Sequence, residues 1–226
     1  MRYALAAVVL AWFAFVMNDA RAAGARDGAA PQVHEASPDD VLADVRRRGM
    51  AVLTFAGYSA AGYEDEAAML AQAAAVLARH DPHTTLVNIG ATADGIGAVY
   101  TLARARGFET LGIVSSRARD EGVALAPAVD QVFFVRDAGW GGIDAATGRL
   151  SPTSAAIVAA SDEIVGIGGG DIARDEMRAA RAAGKPVTFI AADMNHRIAS
   201  DKAAARGAPP PTDFRGSAHA AFAAPY

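Results

Sequence analysis

Six short apolar runs recur along the chain, and none alternates between apolar and polar positions. They are Ala51–Ala56, Thr85–Gly90, Thr110–Val114, Gln131–Val135, Glu163–Ile167 and Pro186–Ala191. A strand with one wet face shows a period of two, whereas a run apolar throughout belongs to a strand covered on both faces, as in a parallel sheet. Helical stretches lie between the runs, at Glu64–Arg79, Gly95–Arg106, Thr153–Ala160 and Asp171–Ala183. Repeated β-α-β units with right-handed crossovers predict a doubly wound, mostly parallel, Rossmann-like α/β sheet of about six strands with helices on both faces.

The helix ends carry their own signals. Glu64, Asp65 and Glu66 open the first of these stretches at its positive end, and Gly107 and Gly184 follow two others as C-caps. Ahead of the first run, Ser37-Pro38-Asp39-Asp40 opens a further short helix with an apolar face at Val41, Leu42 and Val45. Arg46, Arg47 and Arg48 sit at its negative end as a solvated charge run, and Gly49 stops it.

The rest of the chain divides around this domain. Arg2 precedes an uncharged apolar run from Tyr3 to Met17, and Ala20-Arg21-Ala22 follows it. That layout predicts a secretory signal peptide over residues 1–22, a periplasmic or secreted protein, and no stable membrane span after cleavage, since the run is shorter than the ~20 residues a span needs. Residues 23–36 read as a linker, 37–194 as the α/β domain, and 195–226 as a Pro/Ala-rich tail containing Ala208-Pro209-Pro210-Pro211. With no cysteine in 226 residues there is no disulfide framework and no thiolate chemistry. A net charge of −4 supplies no basic stripe for nucleic acid. His196 and His219 have no ligand-like spacing, so no metal site is expected. Residues 136–152 form a long glycine-rich loop around Trp140, which either stacks on a ligand ring or covers a sheet edge.

The informative positions follow three of the runs. Gly57-Tyr58-Ser59-Ala60-Ala61-Gly62, Gly90-Ala91-Thr92-Ala93-Asp94-Gly95-Ile96-Gly97 and Gly168-Gly169-Gly170-Asp171 each lead from a strand toward a helix. In a parallel sheet such turns share the carboxyl edge, where open α/β folds bind ligands, and helix N-termini there offer free N–H groups to anions. Glycine lets a ligand approach the backbone; alternatively, these glycines only make tight turns. Gly90 and Gly95 have P-loop spacing, but Ile96-Gly97 replace the Lys and Ser/Thr of that loop, and no G-x-G-x-x-G occurs, so neither Mg-nucleotide hydrolysis nor a dinucleotide cofactor is indicated. No cofactor is expected. Asp94 and Asp171 read as helix N-caps or as ligands for ribose hydroxyls, and Ser59 and Thr92 as phosphate donors or plain turn hydroxyls.

Phe55-Ala56-Gly57-Tyr58-Ser59, Asn88-Ile89-Gly90 through Gly97, Leu111-Gly112-Ile113-Val114, Ser161 to Gly170 and Lys185-Pro186-Val187 together resemble the SLOG superfamily. That superfamily includes LOG-type phosphoribohydrolases and relatives of the DNA-processing protein DprA. The resemblance covers about residues 50–192 and implies a nucleotide-binding Rossmannoid fold and homodimers. Against the P-G-G-x-G-T-x-x-E pattern of the LOG enzymes, Glu176 keeps the Glu, while Ile172-Ala173 replace Gly-Thr. The place of their catalytic Arg falls near Thr153-Ser154, with Arg149 and Arg174 the nearest guanidinium groups.

Three readings follow. The first is an exported domain holding a nucleotide-derived or sugar-phosphate small molecule among Gly57, Tyr58, Ser59, Gly90, Thr92, Asp94, Gly95, Gly97, Gly168, Gly169, Gly170 and Asp171, with Glu176 orienting the sugar. The second is an N-glycosidic-bond hydrolase with Glu176 as acid/base and a displaced Arg on the phosphate. The third is an inert structural or interaction protein with a vestigial crevice. Binding and turnover are not separated by these residues.

Overall fold

The structure is a computed structural model that describes residues 30–223. The expected signal peptide and the first part of the expected linker lie outside the described residues. All the elements below belong to the unit that begins at Pro31.

The strands are β1 (Gln32–Ala36), β2 (Ala51–Gly57), β3 (Thr85–Ile89), β4 (Glu109–Ser115), β5 (Gln131–Val135), β6 (Glu163–Ile167) and β7 (Val187–Ile190). The helices are α1 (Pro38–Arg48), α2 (Glu66–Leu77), α3 (Ala98–Ala105), α4 (Ser116–Asp120), α5 (Pro152–Ala160), α6 (Asp171–Ala182), α7 (His196–Ala205) and α8 (Gly216–Phe222), and a 3-10 turn at Gly95–Gly97 precedes α3. The strands form one sheet in the order β1-β5-β4-β3-β2-β6-β7, and every pairing is parallel. The doubly wound α/β class is therefore as expected, with seven strands.

Chain order reverses at β2. Its successor β3 lies on one side, and β6, reached by the crossover that follows β5, lies on the other. A switch of this kind opens a crevice beyond the carboxyl ends of the strands.

Both faces of the central strands β2 to β6 are dry. Leu53, Phe55, Val87 and Val132 pack on the face covered by α2 and α3, while Val52, Leu86, Leu111 and Phe133 pack on the face of α1 and α5. On that second face α6 lies over Ile164, through Ala173 and Met177. Neighbours such as Val52 and Leu53 thus go to opposite cores, which is why the runs are apolar at every position. Among the described residues, no helix is long and apolar enough to cross a membrane.

The predicted start of α1 is present in full. Ser37 Oγ accepts from the Asp40 N–H at 3.2 Å, the Asp40 carboxylate accepts from the Ser37 N–H at 2.8 Å, and Gly49 ends the helix at φ 64°. This reciprocal cap holds the Asp40 carboxyl below its ordinary value, chiefly through the Ser37 hydroxyl.

Two expectations are corrected. Residues 32–36, read as linker, form β1, which pairs with β5 in register Gln32↔Gln131 to Ala36↔Val135. The strand was hidden because it is a sheet edge: four of its five residues are exposed, so Gln-Val-His-Glu-Ala carries no apolar run. Likewise residues 195–226 are not merely a tail, since they contain α7 and α8. Asn195 caps α7 by accepting from the Ile198 N–H at 2.9 Å.

Candidate functional site

The three glycine turns meet, and hydrogen bonds fasten them to one another. The turn after β2 reaches the turn after β3 through the Ile96 N–H, which donates to the Tyr58 carbonyl at 2.7 Å. It reaches the end of β6 through Tyr63, whose hydroxyl accepts from the Tyr58 N–H at 3.1 Å and donates to the Ile167 carbonyl at 2.7 Å. Burial raises the Tyr63 and Tyr100 hydroxyl pKa values far above the usual tyrosine range, so both stay neutral hydrogen-bonding groups. Tyr100 pins the β3 turn from beneath. Its hydroxyl accepts from the N–H groups of Ile89 and Ala91 at 3.1 and 3.2 Å, and its proton is shared between the carbonyls of Ile89 and Leu111 at 2.6 and 2.8 Å. Ala91 is held there at φ 55°, a left-handed conformation that L residues rarely adopt and that clusters at functional turns.

Between the turns lies a cavity of about 690 Å³, ample for a mononucleotide-sized guest. Of the expected site residues, Gly57, Tyr58 and Ser59 line it from the first turn, Gly90, Thr92 and Asp94 from the second, and Gly170, Asp171 and Glu176 from the third. Neither Tyr58 nor Ile172 fills it: both stand in its wall. The Tyr58 hydroxyl is directed to the carbonyls of Ala192 and Phe214 at 3.3 and 3.4 Å.

Gly95, Gly97, Gly168 and Gly169 do not line the cavity, and their role is corrected from ligand approach to packing. A Cβ on Gly95 would overlap the carbonyl oxygens of Tyr58 and Ser59, and one on Gly97 would overlap that of Thr92. At Gly168 it would stand 2.5 Å from the Tyr58 ring, and at Gly169 2.6 Å from the Ala173 methyl. These four residues let the turns close on each other. Gly90 and Gly170 differ: neither has a positive φ, and nothing lies within 4 Å of where a Cβ would stand.

Neither turn acid caps a helix with its side chain, although Asp94 stands at the N-cap position of the 3-10 turn. Asp94 makes no side-chain cap bond, and the N-cap of α6 is Gly170, again without one. Asp171 instead pairs with Arg174 at 2.7 Å, and Arg174 also holds Asp175 at 2.8 Å. Two carboxylates therefore occupy Arg174, and neither it nor Arg149 lines the cavity. Among the described residues, the one cation in the lining is Lys202 of α7, whose ammonium donates to the Ala60 carbonyl at 2.9 Å.

Glu176 is buried in the cavity wall. Burial pushes its carboxyl up to about 7 and nearby Asp175 adds to the rise, while the Ser154 hydroxyl, donating at 2.7 Å, opposes it. Ser154 accepts in turn from the Gly142 N–H at 2.7 Å, and Asp175 accepts from the Ile143 N–H at 3.1 Å. The two neighbouring acids of α6 thus hold the long loop, whose Trp140 stands at the cavity with the Arg117 guanidinium 5.2 Å over its ring.

Several lining residues were not singled out from the sequence. Thr54 and Asn88 are paired across β2 and β3, and Thr153 opens α5. Each is a buried polar residue. The available signal was a polar residue inside an otherwise apolar run, Thr54 in Ala51–Ala56 and Asn88 in Thr85–Gly90. Thr153 gave no such break, and its one trace was the resemblance, which puts the place of the LOG enzymes' catalytic Arg near Thr153-Ser154. Among the described residues, no group of three His, Cys, Asp or Glu is placed to hold a metal ion.

No family model and no curated protein matches the chain. Solved structures do. The X-ray structure of TM1055, a structural-genomics target, is 23% identical at a TM-score of 0.43, over 61% of this chain and 72% of that one. A structure of the molybdenum cofactor carrier protein from Chlamydomonas reinhardtii is 19% identical at 0.44, over 62% and 76%. A second structure of that carrier is 18% identical at 0.45, over 76% and 94%. Likenesses this low leave function to the residues of the cavity.

Proposed function

We propose that this domain binds a nucleotide-derived or sugar-phosphate small molecule in the cavity at the carboxyl edge of β2, β3 and β6. One observation carries the reading: Gly90 and Gly170 are the only described glycines with neither a positive φ nor a neighbour within 4 Å of a built Cβ, and both border the cavity. Neither a positive φ nor a packed neighbour calls for glycine at these two places, whereas a ligand lying against the backbone does. The uncapped N-terminus of α6 supplies N–H groups for a phosphate, and Lys202 adds a positive charge. Apolar walls from Ile113, Ile157 and Trp140 suit the less polar part of the guest. Export through a signal peptide is part of the same proposal and rests on residues 1–22 alone.

The test is a thermal-shift screen against nucleosides, nucleotides and sugar phosphates. A ligand at 100 times its Kd stabilises by about 2.7 kcal/mol, so a binder raises Tm with concentration. A flat response to every class overturns the reading.

Glu176 favours a second reading, hydrolysis of an N-glycosidic bond. A buried carboxyl with a pKa of about 7 in a cavity wall is suited to give and take a proton near neutrality. The difference is measurable: a hydrolase releases free base from a nucleoside monophosphate and loses that activity in Glu176→Gln, whereas a binder releases none.

A further inference from the structure

Asn88 is fully buried on β3, and half of its amide does nothing for the fold. Its orientation is fixed by a one-way relay. The Ile157 carbonyl can only accept, so the Ser161 hydroxyl donates to it at 2.7 Å. Ser161 Oγ then accepts from Thr54 Oγ1 at 2.6 Å, and Thr54 Oγ1 accepts from Asn88 Nδ2 at 3.0 Å. Each hydroxyl has one proton and each is committed, so turning the amide over would set its oxygen against Thr54 with no proton between them. The relay leaves Asn88 Oδ1 as a pure acceptor with no partner.

Among the described residues few buried side-chain polar atoms lack a hydrogen-bond partner, and Asn88 Oδ1 is the pure acceptor among them that belongs to a residue lining the cavity. Buried polar atoms are seldom left unpaired, and an orphaned acceptor in a cavity wall is explained by a donor arriving with the guest.

Resting on the ligand-binding reading above, we infer that Asn88 is a specificity-determining residue that selects a guest presenting an uncharged hydrogen-bond donor, O–H or N–H, to the β3 side of the cavity. A phosphate dianion has no proton to give and would face Asn88 Oδ1 with like partial charge. The phosphate therefore lies toward the uncapped α6 N-terminus, and the donor-bearing part of the guest toward Asn88. Sugar hydroxyls and the N–H groups of a base share this chemistry.

Isothermal titration of the full chain separates these sources and tests the inference. The probes are ribose 5-phosphate, which offers only O–H donors, 2′,3′-dideoxyadenosine 5′-monophosphate, which offers only N–H donors, and inorganic phosphate. The variants are the near-isosteric Asn88→Leu and the smaller Asn88→Ala. Each is expected to weaken at least one organic probe roughly tenfold while leaving inorganic phosphate unchanged. Loss with ribose 5-phosphate identifies hydroxyls as the donors, and loss with the dideoxy compound identifies base N–H groups. Both variants also take from Thr54 Oγ1 the Asn88 donor, so each should melt below wild type, and titrations are run well below the lower Tm. Should Asn88→Leu fail to fold, Asn88→Ala carries the test. Unchanged organic affinity in both variants, or equal loss of inorganic phosphate, overturns the inference. A wild-type chain that binds no probe overturns instead the reading on which it rests.

Discussion

Gly97 and Gly90 stand in the same turn after β3, yet one faces protein and the other faces empty space. Behind the turns, the Gly97 backbone lies against the Thr92 carbonyl, and Gly168 and Gly169 are pressed against Tyr58 and Ala173. In front of them, Gly90 and Gly170 have nothing within 4 Å of a built Cβ. The back of the turns is thus a packed joint, fixed by Tyr63 and Tyr100, and the front is an open backbone surface. Glycine serves the packing on one side and leaves main chain bare to the cavity on the other. A glycine-rich turn is evidence of a binding site only through the second kind.

The contrast is breakable by mutation. Gly97→Ala should cost more than about 3 kcal/mol in a denaturant melt, because the new methyl meets a main-chain oxygen that cannot move alone. Near-wild-type stability in that variant would show that the joint is loose.

A pH titration sharpens the contrast from the cavity side. Burial raises the Glu176 carboxyl from its ordinary 4.5 to about 7, so between those values the native state keeps a proton that the unfolded chain has released. Stability is therefore greatest below pH 4.5 as far as this group is concerned, and falls as pH rises to about 7, by up to about 3 kcal/mol. Glu176→Gln should flatten that slope in urea melts taken across the window. A slope that persists in the variant assigns it to other groups.

Tyr100→Phe removes the hydroxyl that serves Ile89, Ala91 and Leu111, and should cost about 2 kcal/mol by leaving buried main-chain groups unpaired. Its measurement is the same melt, with slowed hydrogen exchange at Ala91 expected only in the wild type. Gly90→Ala is the smallest effect on the fold. It should leave stability unchanged or raise it by about 0.5 kcal/mol, through reduced freedom of the unfolded chain.

The sequence was most readable where burial is symmetric. Five of the six apolar runs became strands buried on both faces, the sixth became the partly exposed edge strand β7, and the Ser37–Asp40 cap is a local code that needs no tertiary context. Exposure concealed β1, for Val33 and its neighbours have only one strand beside them and carry no apolar run. The site was readable as a place but not as a set of contacts. The three turns could be located from their glycines, whereas which side of each glycine faces the cavity depends on how Tyr58, Thr92 and Ala173 pack around it. Asn88 left a trace as a polar break in an apolar strand. Thr153 was marked only by the place of the LOG enzymes' catalytic Arg, and Lys202 left no trace, since it arrives from α7 through the packing of distant elements.

The most direct test of the open backbone surface is calorimetry of wild type and Gly90→Ala, each with and without ribose 5-phosphate and adenosine 5′-monophosphate. Without a probe the two should melt together, or the variant slightly higher, and with a probe only the wild type should gain stability. Equal gains in both proteins, or a variant that melts far below wild type before any probe is added, would contradict it.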